Sequence, residues 1–173
     1  MSPRARNAFL RFALVAAFFF HAPGFAATIS YSVEGQPAKT VTMEELVRLL
    51  PIAQMQVRNP ENGQHITYEG FAFADVLRTM AGADWTQFKT IEFGCTDGYR
   101  PTMPVKAAAA HRGLLAIREP GKPALGTLQR TNGGPVELGR FYLVWENIQD
   151  SAAATNTELS WPWQLESIAL HTR

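Results

Sequence analysis

The residue with the widest range of possible chemistry is Cys95, the single cysteine in a chain of 173 residues. A lone cysteine forms no internal disulfide, so its thiol serves either as a small apolar side chain or in metal, cofactor or redox chemistry. Asp97, Tyr99, Arg100 and Met103 follow it closely. We predict that Cys95 is a functional thiol at the inner end of a buried strand, beside a pocket formed with Asp97, Tyr99 and Arg100. An arginine favours the thiolate, whereas burial opposes it.

Three histidines lie beyond residue 26: His65, His111 and His171. A histidine at an arbitrary position is more often an ordinary surface or core residue than a ligand. His111 is the best ligand candidate, because it follows an alanine-rich stretch and precedes Arg112 shortly after the Cys95 segment. Cysteine, methionine and histidine together suit copper. A copper-handling or thiol-reactive protein that uses Cys95 with Met103 or His111 is therefore one hypothesis.

The elements that must position these residues are short strands with few helices between them. Strands are predicted at 28–33, 40–41, 54–57, 65–68, 90–93, 114–117, 140–145 and 165–170. The strand at 90–93 leads into a glycine-bounded turn, and Pro101 and Pro104 predict an extended loop after it. This pattern predicts an α+β fold, a single domain with a mixed, mainly antiparallel sheet and two or three helices.

Three helices are predicted. The spacing from Thr42 to Glu45 is that of a capping box, which starts a helix through Leu49. An apolar face beginning at Phe71 predicts a second helix that ends near Gly82, and a short third helix is predicted at 105–111. The predicted core contains the large apolar residues of these helices and strands: Phe71, Phe73, Val76, Leu77, Ile91, Phe93, Leu143 and Trp145.

The first 26 residues have the features of a signal peptide. Arginines 4, 6 and 11 precede an apolar stretch at 12–20, and small residues precede a cut after Ala26. The apolar stretch is shorter than the roughly 20 residues that a membrane-spanning helix needs. We predict a signal peptide at 1–26, a single domain at 27–173, a periplasmic or secreted location and no stable membrane anchor.

Composition excludes several classes of function. Removal of residues 1–26 leaves 13 basic and 15 acidic residues, a formal charge of −2, with no block of lysine or arginine. Such a chain lacks the electrostatic signature of a nucleic-acid binder. It contains no dinucleotide-binding or phosphate-loop motif, no Gly-x-Ser-x-Gly and no Cys-x-x-Cys. Without Cys-x-x-Cys-His, a covalently attached c-type haem is also excluded.

Three stretches carry a resemblance to a known family: ITYEGFAFADVL at 66–77, IEFGCTDGYRPTMP at 91–104 and GRFYLVW at 139–145. They resemble the molybdopterin-binding domain of the sulfite oxidase family, in its small stand-alone periplasmic version. The resemblance implies molybdopterin as the possible cofactor and Cys95 as the thiolate ligand of molybdenum. Catalytic members of the family have longer domains and hold the pterin phosphate with basic and polar residues. The candidates for that role in this chain are Arg100, His111, Arg112, Arg118 and Arg130.

Three functions follow as hypotheses. The leading one is a periplasmic accessory or binding protein of a redox or respiratory system, without independent turnover. The second is a minimal molybdenum-dependent oxidoreductase with Cys95 as metal ligand, and the third is the copper or thiol protein above. The aromatic residues Tyr142, Trp145, Trp161 and Trp163 fit a core, and Trp161 and Trp163 alternatively fit an exposed docking face for a periplasmic redox protein.

Overall fold

The computed structural model describes residues 27–146 and 159–173, so the predicted signal peptide lies outside the described residues. The described elements, in chain order, are β1 (Thr28–Val33), β2 (Lys39–Thr42), α1 (Met43–Leu49), β3 (Ala53–Arg58), β4 (His65–Ala72), α2 (Phe73–Ala81), a 3-10 turn (Trp85–Gln87), β5 (Thr90–Cys95), β6 (Thr102–Pro104), α3 (Val105–Ala110), β7 (Gly113–Arg118), β8 (Thr127–Leu128), β9 (Val136–Glu137), β10 (Tyr142–Trp145) and β11 (Leu165–His171).

The larger sheet has five strands in the order β2-β1-β11-β5-β6. β1 and β11 run parallel, with Ser30 opposite Ser167, while the other neighbouring strands are antiparallel. The smaller sheet has the order β10-β7-β4-β3 and is wholly antiparallel, and β8 and β9 form a separate two-stranded ribbon. The prediction of an α+β domain with a mixed, mainly antiparallel sheet is confirmed.

One hydrophobic core joins the two sheets and the helices. The larger sheet contributes Ile91 and Phe93, the smaller sheet contributes Leu115, and α2 contributes Val76 and Leu77. All eight predicted core residues are at most 1% exposed. The prediction of the core is therefore confirmed, because alternation in strands and helical spacing identify the inward side of each element.

The smaller sheet is also buried on its other face. Tyr68, Leu114, Tyr142 and Val144 belong to a second core, although their neighbours along the same strands belong to the first. Leu125, Leu128 and Leu138, from the segments around the β8–β9 ribbon, belong to this second core. Asn59 is buried there and donates a 3.1 Å hydrogen bond from Nδ2 to the hydroxyl of Tyr142.

The helix boundaries follow local chemistry. α1 has the predicted capping box, in which the Glu45 N–H donates to Thr42 Oγ1 at 3.1 Å and the Thr42 N–H donates to Glu45 Oε2 at 2.8 Å. α2 begins at Phe73, later than predicted, because β4 continues through Ala72 and places Phe71 opposite Leu115. No helix in the described ranges combines the length and the apolar character needed to cross a bilayer.

Four short elements differ from the prediction. The 3-10 turn and the ribbon strands β8 and β9 lie where the sequence predicts no helix or strand, and β6 occupies the predicted extended loop around Pro101 and Pro104. β6 pairs with β5, with Thr102 opposite Glu92. Strands of two or three residues contain too little alternation to be recognised without their partner strand.

Candidate functional site

Cys95 is the last residue of β5, as predicted, and its side chain faces the first core. Ile91, Phe93 and Cys95 alternate along the strand, and Cys95 is 4% exposed. Leu165 of β11 lies opposite Cys95. The thiol therefore occupies a packed position between the sheet and the apolar side chains of the core.

A tight hairpin turn follows Cys95. The Gly98 N–H donates to the carbonyl oxygen of Cys95 at 2.9 Å, and the Cys95 N–H donates to the carbonyl oxygen of Tyr99 at 3.0 Å. Gly98 has a φ of +85°, which glycine adopts without strain. The Tyr99 N–H also donates to Asp97 Oδ1 at 2.9 Å. Asp97 and Gly98 thus shape the turn that connects β5 to β6.

The side chains around this turn point to solvent. Asp97, Tyr99 and Arg100 are exposed, Tyr99 to 60%. Arg100 Nη1 lies 3.5 Å from Glu92 Oε1, and a Cβ atom on Gly94 would lie 3.3 Å from the same nitrogen. Because successive strand residues face opposite sides, Arg100 lies over the outer face of β5 while Cys95 faces the inner side. The predicted approach of Arg100 to the thiol is therefore not seen, and the side chains of Asp97 and Tyr99 are exposed.

The environment of Cys95 favours the neutral thiol. Burial and, to a lesser extent, the negative charges of Asp97 and Glu166 raise its pKa to about 11, whereas the positive charge of Arg100 opposes them. Burial outweighs the arginine because the guanidinium is exposed and paired with Glu92. At neutral pH and with no metal bound, the sulfur is therefore protonated and a poor nucleophile.

His111 belongs to a different part of the molecule. It follows α3 and lines a cavity of about 290 Å³ with Gln54, Met55 and small residues of β4, α2 and α3. Neither Cys95 nor any residue of its turn lines this cavity. The structure thus separates His111 from Cys95, Asp97, Tyr99 and Arg100 and places it with Arg112 in the lining of this cavity.

The basic residues that could hold a pterin phosphate do not converge. Arg112 pairs with Glu146 at 2.7 Å and precedes β7, while Arg118 pairs with Glu69 at 2.6 Å at the other end of the strand. Six residues of strand separate the two arginines by roughly 20 Å. Arg130 donates to the carbonyl oxygen of Gly134 within its own loop, at 2.9 Å.

The copper set is not assembled either. Met103 is buried in β6 opposite Ile91, four residues before Cys95, which corresponds to about 13 Å along the strand. Within residues 27–146 and 159–173, no three His, Cys, Asp or Glu side chains come together in a way that could hold a metal ion.

Sequence reasoning missed Gln164, which lies just before β11 and supports the Cys95 turn. Its φ is +54°, in the left-handed region that is uncommon for residues other than glycine. Its side-chain nitrogen Nε2 donates to the carbonyl oxygen of Glu137 at 2.8 Å. A Cβ atom on Gly139 would lie 2.8 Å from the Gln164 Cα atom, so the two backbones pass very close together. No local pattern in the sequence predicts this arrangement.

The aromatic group is mainly core. Tyr142 and Trp145 are fully buried, and the indole N–H of Trp145 donates to the carbonyl oxygen of Ser160 at 2.8 Å. Trp161 and Trp163 are half-buried and pack against the cores. The Trp161 ring lies 6.4 Å from the ring of Tyr142. The two tryptophans therefore offer only part of their surface to solvent.

Comparison with known proteins bears on the fold. No family model matches the chain, and no curated protein sequence matches it. A solved structure does: the crystal structure of the sulfane dehydrogenase SoxCD from Paracoccus pantotrophus has a similar chain, with a TM-score of 0.53 and 13% sequence identity. The likeness covers 85% of this chain. This fold is also found in a redox enzyme.

At this identity the likeness concerns the fold alone, and it spans 38% of the sulfane dehydrogenase chain. It confirms the predicted fold class, a small α+β domain of the sulfite-oxidase-like kind. The fold alone does not decide whether the chain has the residues that would hold molybdopterin. Cys95 faces the apolar core. Arg100, Arg112 and Arg118 are in three separate ion pairs, and Arg130 is bonded within its own loop. The described residues therefore do not fit the cofactor.

Proposed function

We propose that this protein is an exported accessory or binding protein of a redox or respiratory system, which uses a sulfite-oxidase-like fold without turnover of its own. One observation carries the proposal. Cys95, at the position where the family resemblance expects a molybdenum thiolate, is 4% exposed and has a pKa of about 11. A protonated thiol packed in the core supports a structural role for this residue.

The surroundings of Cys95 support the same proposal. The backbone bonds between Cys95 and Tyr99 close the turn tightly, and Arg100 pairs with Glu92 on the other side of the sheet. The exposed side chains of Asp97, Tyr99 and Arg100 are therefore available to a partner or ligand at the surface of the domain.

Export and partnership are parts of the proposal that rest on the sequence and the fold. The basic, apolar and small-residue regions of residues 1–26 support secretion into the periplasm. A periplasmic redox protein is the proposed partner, because a similar fold occurs in a dehydrogenase. Mass spectrometry of periplasmic material should find an N-terminus at Ala27, or within a residue or two of it. A full-length chain in the membrane fraction would contradict export.

The decisive experiment measures what the exported protein contains. The full chain, purified from the periplasm, should contain no stoichiometric molybdenum, copper or pterin by elemental analysis and pterin fluorescence. Its thiol should react with a maleimide reagent only after denaturation. Cys95→Ser is the variant and Cys95→Ala the matched apolar control, and both should fold and have the wild-type content. Molybdenum with pterin in the wild type, lost in Cys95→Ser, would establish the enzyme hypothesis, and copper lost in the same way would establish the copper hypothesis.

A further inference from the structure

The smaller sheet ends on one side at β3. Its order is β10-β7-β4-β3, so β3 pairs with β4 on one side, and no other strand within 27–146 and 159–173 pairs with it. β3 is six residues long. An edge strand of this kind leaves a row of backbone N–H and C=O groups that the sheet does not satisfy, and such a row can pair with another chain. We refer to the side of β3 away from β4 as the open edge.

The turn between β3 and β4 shows in which direction the backbone groups point. The Asn59 N–H donates to the carbonyl oxygen of Gln64 at 2.8 Å, and the carbonyl oxygen of Asn59 accepts the N–H of Gly63 at 2.8 Å. Both backbone groups of Asn59 are therefore directed at the partner strand. In an antiparallel pair this direction alternates from one residue to the next.

The alternation assigns the backbone groups of β3 itself, because the β3–β4 register has no shift. Val57, two residues before Asn59, bonds to β4. The N–H and C=O groups of Gln54 and Gln56 point away from β4, into the open edge. No turn, loop or side chain in the described part of the chain bonds to these outward groups. The open edge thus offers donors and acceptors to an extended backbone.

The other sheet edges are protected, and this contrast distinguishes β3. In the larger sheet, β2 has four residues and begins at the exposed Lys39, and β6 has three residues, the last of them Pro104. β10 is covered, because the Leu143 N–H donates to the carbonyl oxygen of Pro162 at 3.1 Å. Short strands, charged residues, prolines and covering segments all oppose pairing between edges. Residues 53–57 of β3 include no charged residue and no proline.

We propose that the open edge pairs with the open edge of a second copy of this chain, antiparallel and about a two-fold axis at Met55. In this register Gln54 of each copy lies opposite Gln56 of the other, and these two pairs exchange about four backbone hydrogen bonds. The self-pairing joins the two smaller sheets into one continuous sheet.

The side chains of β3 are complementary to themselves in this register. On one face the exposed amide groups of Gln54 and Gln56 lie opposite each other and can form hydrogen bonds. On the other face Met55 lies opposite Met55 of the other copy, and Ala53 lies opposite Val57. These three residues belong to the second core or pack against it, so the pairing extends an apolar layer. No like charges are opposite each other, which favours a second copy as the occupant.

This inference goes beyond the proposed accessory function and does not depend on it, because Cys95 and the cofactor content take no part. The interface is small, so we expect a reversible dimer with a Kd of about 10–100 μM. Sedimentation of the exported chain at increasing concentration measures it. Hydrogen exchange should slow at the Gln54 and Gln56 amides as the concentration rises, whereas the Val57 amide should be slow throughout. A monomer at every concentration up to about 1 mM would overturn the proposal.

A proline at the open edge separates this interface from any other. Gln56→Pro removes an outward N–H and retains the bonds to β4, a position where edge strands tolerate proline. It should weaken dimerisation at least about tenfold, and thermal unfolding should show that the variant is folded. A folded Gln56→Pro variant that dimerises like the wild type would show that the copies associate elsewhere, for example through the exposed Val47 and Leu49, and would refute the proposal.

Two double variants test the register. Gln54→Lys with Gln56→Glu places opposite charges across the two-fold axis and should dimerise at least as tightly as the wild type. Gln54→Lys with Gln56→Lys is the matched comparison, because it places like charges there and should dimerise about tenfold more weakly. Equal affinities of the two double variants would contradict the antiparallel pairing at Met55.

Discussion

Thr96 and Gln164 are joined by two hydrogen bonds across the end of the larger sheet. The Thr96 hydroxyl donates to Gln164 Oε1 at 2.7 Å, and the Thr96 N–H donates to the carbonyl oxygen of Gln164 at 3.0 Å. The amide nitrogen of Gln164 continues the chain of bonds to Glu137. The turn that follows the buried cysteine is therefore held by the segment that enters β11.

Replacement of Gln164 tests this support. Gln164→Ala loses two side-chain hydrogen bonds and retains the left-handed backbone, so it should lower the free energy of unfolding by about 1–3 kcal/mol. Gln164→Gly loses the same bonds but relieves about 1 kcal/mol of backbone strain. Urea unfolding should therefore rank the glycine variant above the alanine variant. The reverse order would show that the positive φ of Gln164 is not strained.

The stability of the fold should depend on Cys95 at high pH. Its folded pKa, about 11, lies above the ordinary value of 9.0, so the neutral thiol stabilises the folded state. That contribution is complete below pH 9.0 and is lost as the pH rises through about 11. Over this range the stability of the wild type should fall relative to Cys95→Ala, by at most about 3 kcal/mol.

The measurement is chemical unfolding of both proteins at several pH values. The comparison with Cys95→Ala removes the contributions of other groups, such as Tyr68, whose burial raises its pKa to about 12. A constant difference between the two proteins from neutral pH upward would show that the thiol is accessible to solvent in the folded state.

The inward face of α2 should contribute strongly to stability. Leu77 is 0% exposed in the first core, so Leu77→Ala should cost roughly 2–5 kcal/mol. Arg78→Ala, at the next and exposed position, should change the unfolding free energy by at most about 0.5 kcal/mol. Thermal or urea unfolding of the two variants measures the contrast. A cost below about 0.5 kcal/mol for Leu77→Ala would show that the helix face is misassigned.

Gly70 marks a point where two strands approach unusually closely. A Cβ atom there would lie 2.1 Å from the carbonyl oxygen of Leu115, at an irregularity in the β4–β7 pairing. Gly70→Ala should therefore destabilise the domain by about 3 kcal/mol or more. Gly134→Ala is the control, because a Cβ atom at Gly134 meets no atom within 4 Å. Similar unfolding curves for the two variants would contradict the close approach.

Periodic patterns in the sequence identify much of this fold. Alternation places Ile91 and Phe93 inward, and the Thr42–Glu45 spacing locates the start of α1. Phe71 shows where the patterns are ambiguous, because a residue two positions before Phe73 fits a strand as well as a helix. Strands β8 and β9 are defined by their pairing with each other, and the two residues of either strand do not reveal that pairing.

The candidate site is less accessible to prediction, for a physical reason. Cys95 and Arg100 are close in sequence, but the inward side of β5 holds the thiol while the guanidinium lies on the outward side. The position of His111 depends on how α3 packs beside β3 and β4, which involves distant residues. Two residues that are close in sequence can face opposite sides of a sheet. Whether their side chains meet depends on the alternation along the strand and on where the chain turns back.

The position of β11 between β1 and β5 has a consequence for biosynthesis. Before residues 165–171 have been translated, the larger sheet consists of two unconnected hairpins, β1–β2 and β5–β6. The centre of the larger sheet thus awaits a strand that is made after all the other strands of that sheet, and long-range pairings of this kind form slowly. The larger sheet therefore stays incomplete until residues 165–171 are available, whereas all strands of the smaller sheet precede that point in the chain.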